Sequence, residues 1–176
     1  MSIVLGLSLT QLLKGLAQMY RTHNRIRPYW LHTGWVVFLI FFSLMLWWLF
    51  WNYRSVEEWD FLRFVLYLSP MILFYFLTSI VIPDPSDSVA SYKEYYFSTR
   101  IGFFGTFAAV VVVAHAAGVI VRQLPLLDPT DGFRAALVVL SLIAMRSRSE
   151  RVHAAVLILC AGVIVAFIAL FHVRLG

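Results

Sequence analysis

Charge is scarce in this sequence. Only 13% of its 176 residues are Asp, Glu, Lys or Arg, about half of the roughly 25% in an average soluble domain. So few polar side chains cannot cover the surface of a soluble protein of this length, and that class is excluded. Cysteine is nearly absent. The single Cys160 lies within an apolar run, which rules out an internal disulfide and a zinc constellation and leaves a buried, inert thiol. Chemistry-bearing motifs are missing as well: no Walker or dinucleotide glycine pattern, no HExxH, no GxSxG and no bis-His haem spacing within the apolar segments. No helix carries the paired inward Asp or Glu of a proton-coupled carrier, and no Thr-Val-Gly-Tyr-Gly filter occurs. Neither a metal, a cofactor nor an enzymatic reaction is therefore expected.

What the chain has is apolar bulk. Hydrophobic residues make up 61% and aromatic residues 16%, an excess typical of helices that cross a bilayer and anchor at its interfaces. A spanning helix needs ~20 mostly apolar residues. That ruler marks six segments: 3–20, 33–51, 61–82, 101–121, 129–145 and 152–172. The expected fold is one all-α, polytopic transmembrane bundle over residues 1–176, with about six spans, or five if the first helix lies in the interface. The first residues lack a charged region and a small-residue cleavage site, so they read as mature structure. Asp128-Pro129-Thr130-Asp131 looks like a helix start with Asp128 as N-cap and Pro129 in the first position. Pro83-Asp84-Pro85-Ser86-Asp87 reads as a turn-rich stop, and residues 91–97 as a short interfacial helix.

Net charge is +5, yet the cations form no tract suited to nucleic acid. Arg21, Arg25, Arg27, Lys93, Arg100, Arg146, Arg148 and Arg151 fall in loops on one side of the six-span layout. Most acids, Glu57, Glu58, Asp60, Asp128 and Asp131, fall on the other, with Arg54, Arg63, Arg122, Arg134 and Arg174. The positive-inside rule then puts the first set in the cytoplasm. Both termini would lie outside, or the N-terminus inside if the first helix does not span.

Within the apolar segments a few residues stand out. Gln11, Lys14 and Gln18 share one face of the first helix, continued by Arg21, opposite Leu5, Leu9, Leu13, Leu16 and Tyr20. A Lys inside a span costs ~2.5–3.5 kcal/mol, so it should face protein or water. In a homo-oligomer the four could line a pore favouring anions; otherwise the stripe is interfacial or satisfied by a neighbouring helix. His115 is an intramembrane ionisable group, either a proton relay or a side chain with a single hydrogen bond to a facing helix. Gly102, Gly105 and Ala109, the pair Ala114 and Gly118, and Gly162, Ala166 and Ala169 form small-residue faces suited to close helix packing. They predict that the fourth and sixth helices are buried in protein and that the aromatic second helix faces lipid. Pro70, after Ser69, predicts a kink or hinge. The adjacent Glu57 and Glu58 read as solvated loop charges.

The run from Ile3 to Ala17, the basic linker Arg25-Ile26-Arg27-Pro28-Tyr29-Trp30 and the aromatic Leu46-Trp47-Trp48 resemble the opening of a loose group of small bacterial polytopic inner-membrane proteins. The likeness covers about the first 100 residues. It implies a multi-pass protein of a bacterial inner membrane and carries over no functional residue. Three functions remain open. The first is a homo-oligomeric pore or ion channel with the first helix near the axis, self-associating in the lipid bilayer and gated by a soluble cytoplasmic regulator. The second is an accessory subunit of a larger complex. The third, a small transporter or lipid-active enzyme, requires His115 to converge with a carboxylate from the outer loops.

Overall fold

The computed structural model describes residues 2–83 and 91–171. Among them the regular elements are all helical: α1 (Ser2–Thr22), α2 (Trp30–Trp51) with a short 3-10 turn after it (Asn52–Ser55), α3 (Phe61–Val81), α4 (Tyr92–Val121), α5 (Asp131–Arg146) and α6 (Glu150–Phe171). Four segments are long and apolar enough to cross a membrane: Trp30–Ser55, α3, α4 and α6. The chain is thus an all-helical, membrane-embedded protein. The expected turn at residues 84–87 lies outside the described residues, as do His172 and Arg174.

Consecutive helices run antiparallel, so alternate ends gather. At one end the Thr22 and Tyr92 hydroxyls lie 3.4 Å apart. His32 of α2 donates from Nε2 to the Val81 carbonyl at 2.8 Å, and Lys93 of α4 pairs with Glu150 of α6 at 2.8 Å. This is the basic end, which carries Arg21, Arg25, Arg27, Arg146, Arg148 and Arg151. At the opposite end α3 is capped by Asp60, whose Oδ1 accepts from the Arg63 backbone N–H at 2.8 Å and thereby satisfies one of the free first-turn donors.

The two remaining helices, α1 and α5, are not among those four. α1 buries Leu5, Ser8, Leu12, Gly15 and Met19, one helical face, against α2 and α3. Its register is set where Gln11 meets Thr78 and Ser79 and, four residues on, Gly15 abuts Ile82. α1 therefore lies beside the last turns of α3 and is displaced toward the basic end. α5 has 16 residues, about 24 Å at 1.5 Å per residue, less than the ~30 Å hydrocarbon core.

The burial pattern reverses one expectation. The aromatic α2 is the heart of the bundle: Trp35 and Leu39 are fully buried, with Phe38, Phe42 and Phe50 beside them. α6 turns Ile158, Leu159, Val165 and Leu170 outward, and nothing packs within 4 Å of Gly162. Large aromatics win the core because edge-to-face pairs, such as Trp35 on Phe104 at 5.1 Å, fill it better than small residues do. Two further expectations move. The segment 91–97 is not a separate interfacial helix. Ser91 caps a single 30-residue α4 that runs on through Val121. α5 starts at Asp131, with Thr130 as N-cap, while Asp128 folds onto Thr130 just before it.

Pro70 sits inside an unbroken α3. A proline cannot donate to the carbonyl four residues back, here Leu66. The Ser69 hydroxyl donates to that same Leu66 oxygen at 2.8 Å. A side chain re-satisfies the backbone group where no water would.

Candidate functional site

The residues expected to line a pore do not form one continuous free stripe. Gln11 accepts from the Thr78 hydroxyl at 3.0 Å and its amide donates to Ser79 at 3.3 Å, so α3 satisfies it. Lys14 is exposed and, from the register above, stands level with Val81 at the end of α3 rather than at mid-span. Gln18 is half-buried, and its carbonyl accepts from Thr22. Arg21 is exposed at the basic end.

His115 lies elsewhere, toward the opposite end of α4, and it has company. Its Nδ1 is 3.5 Å from Oδ1 of Asp131, the first residue of α5. The same carboxylate pairs with Arg134 one turn on and accepts the Asp128 backbone N–H at 2.7 Å. The side chain of Asp128 is held in turn by the Thr130 hydroxyl at 2.6 Å and the Thr130 N–H at 2.8 Å; these bonds keep its carboxyl below the usual carboxylate range.

The meeting depends on how the α4–α5 connection folds. Six residues separate His115 from Val121, the last of α4, about 9 Å along the axis. For Asp131 to reach His115, the connection must turn back down the bundle. It does so at Gln123, whose φ of 54° is left-handed, and the Leu124 N–H returns to the Gly118 carbonyl at 3.4 Å. A Cβ on Gly118 would stand 3.2 Å from Leu124 and 3.8 Å from the Tyr53 hydroxyl. Gly118 thus admits a loop and a tyrosine, and Ala114 lines the cavity beside it. Gly105 does face α5, where an added Cβ would stand 3.6 Å from Met145, and Gly102 faces α3, where one would stand 3.8 Å from Ile80. Ala109 and Ala166 are half-buried.

The result is a chamber of about 120 Å³ between α2, α4, α5 and α6, lined at its polar end by Tyr53, His115, Arg122 and Arg134. Irregular backbone at this depth is tolerated where it lines a cavity. Arg122 is held over the Tyr53 ring, 5.6 Å from its centroid, and forms no ion pair among the described residues. Phe42, Met45, Leu49, Ile164 and Phe167 form the apolar floor and also belong to a second cavity. That one is a groove of about 660 Å³ between α2 and α6, running from Gly34 and Leu157 to Trp48 and Ile168. Its rim is open: Phe41 is 64% exposed and Val165 66%. At the Gly34 end the helices touch, since a Cβ there would stand 2.7 Å from Leu157 Cδ2.

No family model, curated protein or solved structure matches this chain. The site must be read from its own residues.

The basic end holds a second polar centre. The buried His153 donates from Nε2 to the Ser147 carbonyl at 3.1 Å, while its Nδ1 accepts from the Tyr96 hydroxyl at 2.7 Å. His32 and His153 thus each hold a carbonyl at a helix C-terminus, those of α3 and α5, where the last carbonyls lack helical partners. Neither residue carries a motif in the sequence that would mark this role. Asp131, Arg122, Arg134 and Tyr53 were legible only as loop or interface residues. The Gly118 spacing and the nine residues between the helices gave no sign of a fold-back.

Proposed function

We propose that this protein handles membrane lipid: it draws an amphiphile sideways from the bilayer into the α2–α6 groove and receives the polar end in the His115 chamber. One observation carries the reading. His115, 3.5 Å from the Asp131 carboxylate at the start of α5, lines a chamber that shares its apolar floor with a groove open to the bilayer. Ligand sites are concave and mostly apolar, with a few convergent polar groups, and this one fits that description. With the Asp131 carboxylate beside Nδ1 at 3.5 Å, the imidazole presents Nε2 as the nitrogen for a ligand. The basic end faces the cytoplasm of a bacterial inner membrane in this reading, because loops rich in Lys and Arg are retained there.

The full chain, purified in mild detergent and sprayed intact into a mass spectrometer, tests it. Wild-type protein should retain a lipid-sized adduct, and His115→Ala, with unchanged helicity, should retain at least tenfold less. A wild-type protein that emerges bare overturns the reading.

The exposed Lys14 favours a second reading, a homo-oligomeric pore. On the outer face of α1 it meets no partner among the described residues, so a facing copy could supply one. Lys14→Glu should then change ion selectivity in planar bilayers. A parent protein that passes no current removes that reading.

A further inference from the structure

The groove and the chamber together restrict what the amphiphile can be. We infer that the ligand is a single-chain anionic amphiphile, with one acyl chain along α2 and α6 and a carboxylate or phosphate on Arg122. The inference rests on the lipid-handling reading and names its substrate class.

Three features on the two cavities lead to it. The first is volume. The groove holds about 660 Å³ between two stripes of α2 and the facing side of α6. At about 30 Å³ for each water-sized group, one sixteen-carbon chain takes most of that space and two do not fit. The second is length and closure. From Gly34 to Trp48 is 14 residues, about 21 Å at 1.5 Å per residue, the scale of one extended acyl chain rather than of a short solute. Contact between Gly34 and Leu157 closes the far end, so the chain tip stops there and the head must lie at the chamber.

The third is charge. Around the chamber Arg134 is neutralised by Asp131, and His115 leans on that same carboxylate. Arg122 is the cation left over, half-buried and fixed by Tyr53. A guanidinium in a partly dry site is best satisfied by an anionic oxygen pair, which it binds in bidentate fashion. A neutral or cationic head would leave it uncompensated.

The test uses the full chain in detergent, delipidated and then offered one probe at a time: palmitate, palmitoyl lysophosphatidate, hexadecanol and dipalmitoyl phosphatidate. Palmitate and the lysophosphatidate should bind at least tenfold tighter than hexadecanol and than the two-chain phosphatidate. Palmitate against lysophosphatidate then tells which anion the site prefers. Arg122→Gln should erase the advantage over hexadecanol, and Arg122→Lys should keep part of it. Ala161→Phe, which fills the groove from an exposed position, should weaken all chain-bearing probes together. Hexadecanol binding as tightly as palmitate overturns the anionic assignment, and equal binding of the two-chain lipid overturns the single-chain one. Undiminished binding in Ala161→Phe shows that the groove is not the seat, as would be the case were it covered by a second copy. Failure of every probe on wild-type protein sinks the lipid-handling reading itself, a separate outcome from the others.

Discussion

At the scale of single residues, the economy of this chain is to repair each backbone defect with the nearest hydroxyl or imidazole. Ser69 is the clearest case. Its hydroxyl serves the Leu66 carbonyl that Pro70 leaves without a donor. Hydrogen bonds inside membrane bundles average about 0.6 kcal/mol, with a maximum near 1.7. Ser69→Ala should therefore destabilise the bundle by about 1 kcal/mol in an SDS-unfolding titration. Pro70→Ala restores an N–H to the same carbonyl, so in that background Ser69→Ala should cost almost nothing. An equal cost in both backgrounds would show that the hydroxyl acts elsewhere. The pairing is written in the sequence as adjacent letters, which is why Pro70 was recognisable as a special position. That Ser69 serves the carbonyl Pro70 leaves free was not, because the repair depends on a side-chain rotamer. His115 was recognisable too, as an ionisable group in an apolar run. Asp131 was not, since nothing local says that the chain after Val121 turns back toward it.

At the scale of elements, hydropathy found the helices and then misjudged which of them are buried. The segments 33–51, 61–82 and 152–172 fall within a few residues of α2, α3 and α6. Lipid tails and protein cores are equally apolar, so composition alone does not separate a lipid-facing helix from a buried one. Small residues on α6 suggested close packing, yet the aromatic α2 took the centre, where Trp35 meets Phe38, Phe103, Phe104 and Phe107. The two closest approaches fall at glycines the small-residue pattern did not mark, Gly15 and Gly34. Gly15 is the docking point of α1: any Cβ there collides with the Ile82 side chain. Overpacking of this kind costs ~1–3 kcal/mol, enough to detach a helix that buries only one face. Gly15→Leu should release α1 and leave the other helices in place. Ser8, 0% exposed in the docked helix, reports on this. A Ser8→Cys protein should resist maleimide, and the Gly15→Leu/Ser8→Cys protein should label rapidly with little change in helicity. Labelling that stays slow would mean that α1 docks without Gly15.

At the scale of the molecule, two polar centres lie at opposite ends of the bundle, and an aromatic layer separates them. Trp35, Phe38, Phe42, Phe74, Phe104 and Phe107 are all buried and in mutual ring contact. The His115 chamber therefore lies on one side of that layer, and in the lipid-handling reading the orientation of the bundle decides which leaflet the chamber faces. The basic loops gather at the far end from the chamber. If positive loops stay in the cytoplasm, the chamber opens toward the outer leaflet. Two exposed serines mark the ends: Ser55 in the turn after α2 and Ser149 between α5 and α6. Cys160 is buried and contributes no background to thiol labelling. In intact cells an impermeant maleimide should modify Ser55→Cys and leave Ser149→Cys untouched until the membrane is permeabilised. The opposite pattern would place the chamber on the cytoplasmic leaflet, so that Arg122 and His115 would meet an amphiphile delivered from within. Labelling of both from the same side would contradict the antiparallel packing that brings His115 to Asp131. The sidedness of two serines thus bears directly on which leaflet the proposed lipid site faces.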